Sequence, residues 1–422
     1  MESQIKIWIV VENLDINTSS GAQANMAMIL NLRACGYALK VFHYSKKTIL
    51  IDGVDCITIP ERKLNVIYIC SKIQQKLQKW TKWNINRHIE GLLGFSLAFF
   101  NDVKSIRHFL KSQDVAGADL VLTLSQATSF RPHRAILALP KWHSRWLAYI
   151  HDPYPLHYFP RPYNWIGPGF RQKEAFFKQV NESARWFAFP SKLLMDWMGF
   201  HFRRMLEHGL VIPHQIPVKV PRDVDTDFYL DKNKFNLVHA GSLLQVRPPE
   251  ALIEGFLQFI EHNPDAKDHA CLHLVGNSDY HKNELKKYID TIPQVKIVLK
   301  PIPFDEAFWM QQHASVNIIL ETKFEISPFL PGKFPHCIQA RKPILLIGPY
   351  YSETRRLLGR DYPYWAENSD SVGIMHCIQV LYDKWRSNTG ELRYPREDIE
   401  YYLGVDYLRQ KITGLQADKE VL

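Results

Sequence analysis

Short apolar runs alternate with helix-spaced segments along nearly the whole chain, and this rhythm admits little besides parallel sheets covered by helices on both faces. It begins with a strand at Ile5–Val11, a helix over Ala22–Arg33 and a strand at Ala38–His43. Leu120–Leu124, Trp146–Ile150 and Trp186–Phe189 read as further strands, and Arg171–Ser183 as a polar, solvent-facing helix. Prolines and charges then break the rhythm in IPHQIPVKVPRDVDTDFYLDKN, residues Ile212–Asn233. After it come strands at Phe235–Ala240, Cys271–Val275, Val295–Leu299, Val316–Leu320 and Ile344–Ile347. Helices are expected at Pro249–Glu261, Tyr280–Thr291, Phe304–His313, Lys333–Ala340, Ser369–Trp385 and Arg396–Gln410. The expected fold class is therefore α/β, with two Rossmann-like, doubly wound domains facing a cleft. The N-terminal domain is placed at 1–212, a linker at 213–233, the second domain at 234–392, and a C-terminal helical segment at 393–422 that could cross back to the first domain.

A chain of 422 residues is long enough for two such cores. With 46% hydrophobic and 23% charged residues the composition is globular, which excludes a disordered protein. The six cysteines are scattered and form no CxxC pair, so reduced thiols are expected rather than a disulfide scaffold. The N-terminus enters a strand without a signal-peptide pattern, and no run is apolar enough to span a bilayer. A cytoplasmic location is the expectation. The net charge of +9 favours an anionic partner.

In such sheets ligands bind beyond the carboxyl ends of the strands, so the residues just after strands carry the functional reading. The segment SPFLPGKFPHCIQARKPILLIGP, Ser327–Pro349, reads as a tight turn opening a helix that feeds a buried strand. Unpaired N–H groups at that helix start, with Lys333 beside them, make an anion site. Gly241 and Ser242 end a strand and offer backbone amides, and Arg247 can fold back as a bidentate phosphate clamp. The plainer reading of Arg247 is a surface arginine before a helix. Glu321 and Glu325 follow the Val316 strand and are candidates for hydroxyl contacts, or else solvated loop acids. His151 and Asp152 follow the Trp146 strand, where the alternative is a strand terminus with a satisfied imidazole. Tyr154, Tyr158, Tyr163 and Trp165 form an aromatic, proline-rich loop suited to stacking on sugar faces or to acting as a rigid lid. Asn13–Gly21 is a polar loop in which Gly21 permits close backbone approach. The chain lacks the GxGxxG and GxxxxGK[ST] fingerprints and any His/Cys/carboxylate cluster with metal spacing. DVDTD, Asp223–Asp227, has the spacing of a metal-binding DxD motif but falls in the linker, and no metal site is assigned.

AGSLLQVRPPEALIEGF (Ala240–Phe256), LHLVGN (Leu272–Asn277) and the segment from Ser327 resemble, in order and spacing, the second domain of GT-B glycosyltransferases, most closely glycosyltransferase family 4. SSGAQANMAMILNLRACGYALKV (Ser19–Val41) resembles that family's first glycine turn and helix, and YIHDPYPLHYFPRPYNW (Tyr149–Trp165) its strand-end histidine. The resemblance implies a retaining, metal-independent transfer of a sugar from a nucleotide-diphosphate sugar, UDP- or GDP-linked, to a glycan or lipid-linked acceptor in cell-surface polysaccharide synthesis. It implies catalytic roles for His151, Arg247 and Lys333. Donor contacts fall on Gly241, Ser242, Gly276, Asn277, Glu325, Ser327, Leu330, Gly332 and His336, and acceptor contacts on Asn13, Gly21, Asp152 and Tyr154. The chain departs from the family at His336, which stands where the K-L-x-E-Y pattern has a ribose-binding glutamate. That departure supports a rival reading, a catalytically silent relative that binds nucleotide or glycan or scaffolds a membrane complex.

In KIQQKLQKWTKWNINRH, Lys72–His88, lysines crowd beside a face formed by Ile69, Ile73, Leu77 and Trp80. Such a helix lies on an anionic membrane surface or packs on the first sheet. No nucleic-acid motif accompanies the charge, and no nucleic-acid partner is expected.

Overall fold

The computed structural model describes residues 4–163, 166–218, 224, 230–289 and 291–420. Trp165 and the DVDTD acids Asp223, Asp225 and Asp227 lie outside the described residues. The chain divides into two compact units: the first holds 1–159, 163–214 and 405–422, and the second 160–162 and 215–404.

The first unit is built on seven parallel strands: β1 (Lys6–Val11), β2 (Ala38–His43), β3 (Asp55–Thr58), β4 (Leu120–Leu124), β5 (Trp146–Tyr149), β6 (Trp186–Phe189) and β7 (Gly209–Val211), in the order β3-β2-β1-β4-β5-β6-β7. Ile7 of β1 is paired with Leu39 on one side and Leu120 on the other. The side chains of β1 alternate between two cores, as a strand buried on both faces requires. Ile7, Ile9 and Val11 join Met28, Ile29 and Leu32 of the helix Ser20–Ala34, and Leu408, Ile412 and Leu415 of the helix Val405–Glu420. Trp8 and Val10 face the opposite core with Phe99, Ile136 and Phe177.

The second unit carries β8 (Phe235–Ala240), β9 (Ala270–Val275), β10 (Val295–Val298), β11 (Val316–Leu320), β12 (Ile326–Ser327), β13 (Ile344–Ile347), β14 (Tyr351–Ser352) and β15 (Trp365–Ala366). Six of these form a second parallel sheet ordered β10-β9-β8-β11-β13-β15, while β12 and β14 pair separately. The expected pattern of two doubly wound sheets is present.

Four local expectations need correction. The helix expected over Tyr280–Thr291 is one short turn at Asp279–His281 and one at Lys282–Leu285; among these residues only His281 and Leu285 are buried, so little packing holds further turns. Arg396–Gln410 is two helices, Glu397–Tyr402 and Val405–Glu420, parted at Leu403–Gly404. The helix Phe170–Ser183 is polar on one side only, because Phe176, Phe177 and Val180 are buried. The basic segment is also two helices, Val66–Thr81 and Ile85–Leu93, separated by Lys82 in the left-handed region at φ 57°. No helix among the described residues is long and apolar enough to cross a membrane.

Candidate active site

In the second unit the loop ends of β8 and β9 approach each other through two glycines. Gly241 follows β8 at φ +154°, and a Cβ there would stand 2.7 Å from Lys333 Nζ. Gly276 follows β9 at φ +143°, and its Cβ would fall 2.4 Å from the Gly241 carbonyl oxygen. The Gly241 amide is not free for a ligand, which corrects the sequence expectation: it donates to Val275 O at 2.8 Å. Leu243 N in turn donates to Asn277 O at 2.8 Å, which fixes the start of the loop running to Arg247. Ser242 is exposed on that loop.

Lys333 is tucked against this turn. Its Nζ donates to His239 Nε2 at 3.1 Å, and His239, the penultimate residue of β8, is buried with Nδ1 unpartnered among the described residues. Burial pushes the Lys333 ammonium down to about 7, with the charge of Arg247 acting in the same direction. Burial also holds His239 well below its ordinary value, and both Lys333 and Arg247 lower it further. Arg247 therefore acts on both groups from nearby. The guanidinium contacts Thr322 Oγ1 through Nε at 3.4 Å, and Lys323 N ties the same loop down by donating to Val246 O at 2.9 Å.

Beyond Arg247 lies Glu321, 2% exposed at the end of β11. Burial raises its pKa to about 7, against the hydroxyls of Thr354, Ser352 and Ser327 and the charge of Arg247, which lower it. Asn368 Nδ2 donates to its backbone oxygen at 2.9 Å. Glu325 is exposed and lines a cavity of about 240 Å³ with Phe324, Tyr350, Glu367 and Asn368.

The helix after Lys333 spans only Phe334–Gln339, with no side-chain cap at its start. So short a helix carries little macrodipole, so the positive charge here is chiefly that of Lys333 and Arg247. Leu330 is packed in the core, which leaves only its backbone for contacts, while Gly332 is half-buried in the turn. The His336 ring, 8% exposed, stands edge-on to Phe304 and Phe308 at centroid distances of 5.3 and 5.5 Å.

In the first unit His151 is buried just after β5 with Nε2 unpartnered among the described residues. Burial, then His214 and His133, hold its pKa far below the ordinary value, so the ring is neutral. Asp152 beside it is half-buried. Tyr154 requires correction: it is 3% exposed and packs on Phe130 and Phe177 at 4.6 and 5.1 Å, so it is a core residue and offers no stacking face. Tyr158 is stacked on His201 at 4.0 Å, and Tyr163 leans on Phe159. Gly21 lies in the first turn of its helix, where a Cβ would make only ordinary contacts at 3.6 Å, so its protein surroundings do not demand glycine. Asn13 is engaged in its own loop, donating to Thr18 Oγ1 at 2.7 Å and accepting from Asp15 N at 2.9 Å.

Sequence reading missed two clusters. Arg131 binds Glu12 at 2.8 Å and Asp102 at 2.9 Å behind the Asn13 loop. Glu250, His281 and Glu284 hold one ligand atom each within 4.8 Å of one another; His281 and Glu284 are three residues apart, and the fold brings Glu250 to them from 31 residues upstream. His281 Nε2 contacts Leu244 O at 2.9 Å, on the loop that carries Arg247.

The glycine pair has a measurable consequence. Gly241→Ala is expected to displace the Lys333 ammonium and weaken binding of inorganic pyrophosphate at this turn at least about tenfold in calorimetric titration, since strained backbone there costs about 1–3 kcal/mol. Gly276→Ala meets backbone that cannot rotate aside, so its main effect is a lower melting temperature. Equal binding by Gly241→Ala and wild type would separate the turn from the ligand.

No protein-family model matches the sequence, and no curated protein matches it. Solved structures match across nearly the whole chain. A glycosyltransferase from Rickettsia africae ESF-5 is 11% identical at a TM-score of 0.60, covering 99% of this chain and 98% of its own. WaaG, a glycosyltransferase involved in lipopolysaccharide biosynthesis, is 11% identical at 0.56, covering 97% and 100%. A trehalose-6-phosphate structure from E. coli bound with UDP-2-fluoro glucose is 10% identical at 0.57, covering 97% and 98%. Two parallel Rossmann-like sheets, matched over almost their full length by these proteins, give the chain the GT-B glycosyltransferase fold.

Proposed function

We propose that the protein is a retaining, metal-independent glycosyltransferase that moves a sugar from a UDP- or GDP-sugar to a glycan or lipid-linked acceptor in cell-surface polysaccharide synthesis, working in the cytoplasm at the inner face of the membrane. The observation that carries this reading is the gathering of Lys333, His239 and Arg247 against the Gly241 turn, at the carboxyl edge of the second sheet. During transfer the bond from the anomeric carbon to the diphosphate oxygen breaks, the acceptor oxygen bonds to that carbon, and the acceptor proton leaves to the diphosphate or to solvent. Negative charge grows on the departing diphosphate, where two positioned cations stabilise it most. On this reading the neutral His151 offers a hydrogen-bonding nitrogen to the donor sugar, and Glu321 or Glu325 contacts sugar or ribose hydroxyls. The UDP-2-fluoro glucose in the E. coli structure and the lipopolysaccharide role of WaaG support the substrate classes.

The buried, aromatic-packed His336 favours the second reading, a silent relative that binds nucleotide without turnover. Nucleotide release from a panel of UDP-, GDP- and ADP-sugars, with glycan or lipid extracts as acceptors, separates the two. Release that persists in EDTA, with the anomeric configuration retained in the product, is expected. Binding without release from any donor would favour the silent relative, and release abolished by EDTA and restored by magnesium or manganese would end metal independence.

A further inference from the structure

We propose that the helix Val66–Thr81, continued by Ile85–Leu93, docks on an anionic phospholipid surface through its solvent-facing apolar stripe. This deepens the acceptor half of the proposed function, which places the protein at a membrane, but it is tested without any transfer reaction. The helix is turned opposite to an ordinary core-packed one. Its buried residues are the polar Ser71 and Gln74. Ile69, Ile73, Leu77 and Trp80 are 53%, 52%, 43% and 83% exposed. Their spacing puts them on one line along the helix, and Trp83 and Leu92 extend the exposed apolar surface past its end, at 76% and 78%. Packing on the first sheet, the plainer expectation for this segment, does not describe this face. Scattered apolar residues are normal on a soluble protein, whereas a continuous stripe marks an interaction surface.

Charge selects the occupant. Between Glu61 and Glu90 the sequence has seven lysines and arginines and no carboxylate. Lys72, Lys76, Lys79 and Lys82 are all exposed. A second copy of the chain docking through the same face would set these like charges against each other. An anionic bilayer instead receives the apolar side chains among its acyl chains and the lysines among its phosphates. Trp80 and Trp83, large and exposed near the end of the helix, suit the headgroup boundary.

Flotation of the full-length protein with phosphatidylcholine vesicles, with and without 30% phosphatidylglycerol, tests the proposal. Binding is expected only to the anionic vesicles, and it should weaken as salt is raised. Lys76→Gln and Lys79→Gln are each expected to weaken it about fivefold, the effect of one lysine near a charged surface. Leu77→Gln with Trp80→Gln should weaken it at least about tenfold. These residues are exposed, so melting temperatures should not change. A polarity-sensitive dye on Cys70, an exposed thiol of the same helix, should shift to the blue with anionic vesicles alone. Failure to bind anionic vesicles at low salt, binding indifferent to these substitutions, or a vesicle-independent dimer dissolved by Trp80→Gln would each overturn the proposal. Nucleotide-sugar binding in solution is unaffected by its failure, so it and the transfer reading fall separately.

Discussion

Lys333→Met is expected to lower turnover of the nucleotide-sugar by about 10²–10³-fold, the usual cost of removing one positioned donor from a developing anion. The ammonium sits against the Gly241 turn with the charge of Arg247 acting on it, and burial holds its pKa near 7. That depressed value fixes the sign of a pH effect. Below pH 7 the side chain is charged and attracts the diphosphate; as pH rises past 7 the free protein loses that charge. Binding must then recover a proton, so affinity for a nucleotide-sugar, whose diphosphate does not titrate in this range, should fall between pH 7 and 9. In Lys333→Met this slope should vanish. The substitution also removes a half-buried charge repelled by Arg247, so the variant should melt no lower than the wild type. Titration calorimetry across pH, steady-state nucleotide release and thermal melting provide the three readouts. Unchanged turnover with a retained pH slope would remove Lys333 from the site.

Much of the architecture was legible because it rests on periodicity. Strands such as Leu120–Leu124 and Ile344–Ile347 are buried on both faces, so their apolar runs are continuous and stand out in sequence. Gly241 and Lys333 were legible for a related reason, since each lies beside a strand or turn with strong local punctuation. What sequence could not show is which way a side chain turns once neighbours compete for it. Tyr154 reads as a loop aromatic, yet Phe130 and Phe177 draw it into the core. The amide of Gly241 reads as a free donor but is taken by the carbonyl of an adjacent strand, a partner 34 residues away. His239 gave a weak signal, a polar residue in an otherwise apolar strand just before the glycine, and its importance emerges only when Lys333 is brought back against it. For the helix Val66–Thr81 the spacing was legible, but whether the apolar stripe faced inward depended on the fit of Ser71 and Gln74.

Arg131 presents the strongest test of how the first unit holds its strand-end loops. Glu12 follows β1 and is 7% exposed; Arg131 meets its Oε1 at 2.8 Å, and Ser129 Oγ and Gln126 N reach its Oε2. On the other side Arg131 binds Asp102, which also accepts from Tyr44 OH at 2.8 Å. One guanidinium thus joins the ends of β1, β2 and β4 to the helix Leu97–Leu110, behind the loop that carries Asn13. Removing one partner of a buried ion pair leaves the others charged and poorly solvated, which costs about 3–5 kcal/mol, so Arg131→Met should lower the urea midpoint of the first unit accordingly. The cost falls on two carboxylates that keep only part of their company: Glu12 retains Ser129 Oγ and Gln126 N, and Asp102 retains Tyr44 OH and Lys46 Nζ at 3.6 Å. Adding Glu12→Gln and Asp102→Asn should recover most of the loss by discharging the same site. If the triple variant is no more stable than Arg131→Met, the arginine acts through packing on Phe99, whose ring centroid is 5.4 Å from the guanidinium carbon, and not through its charge.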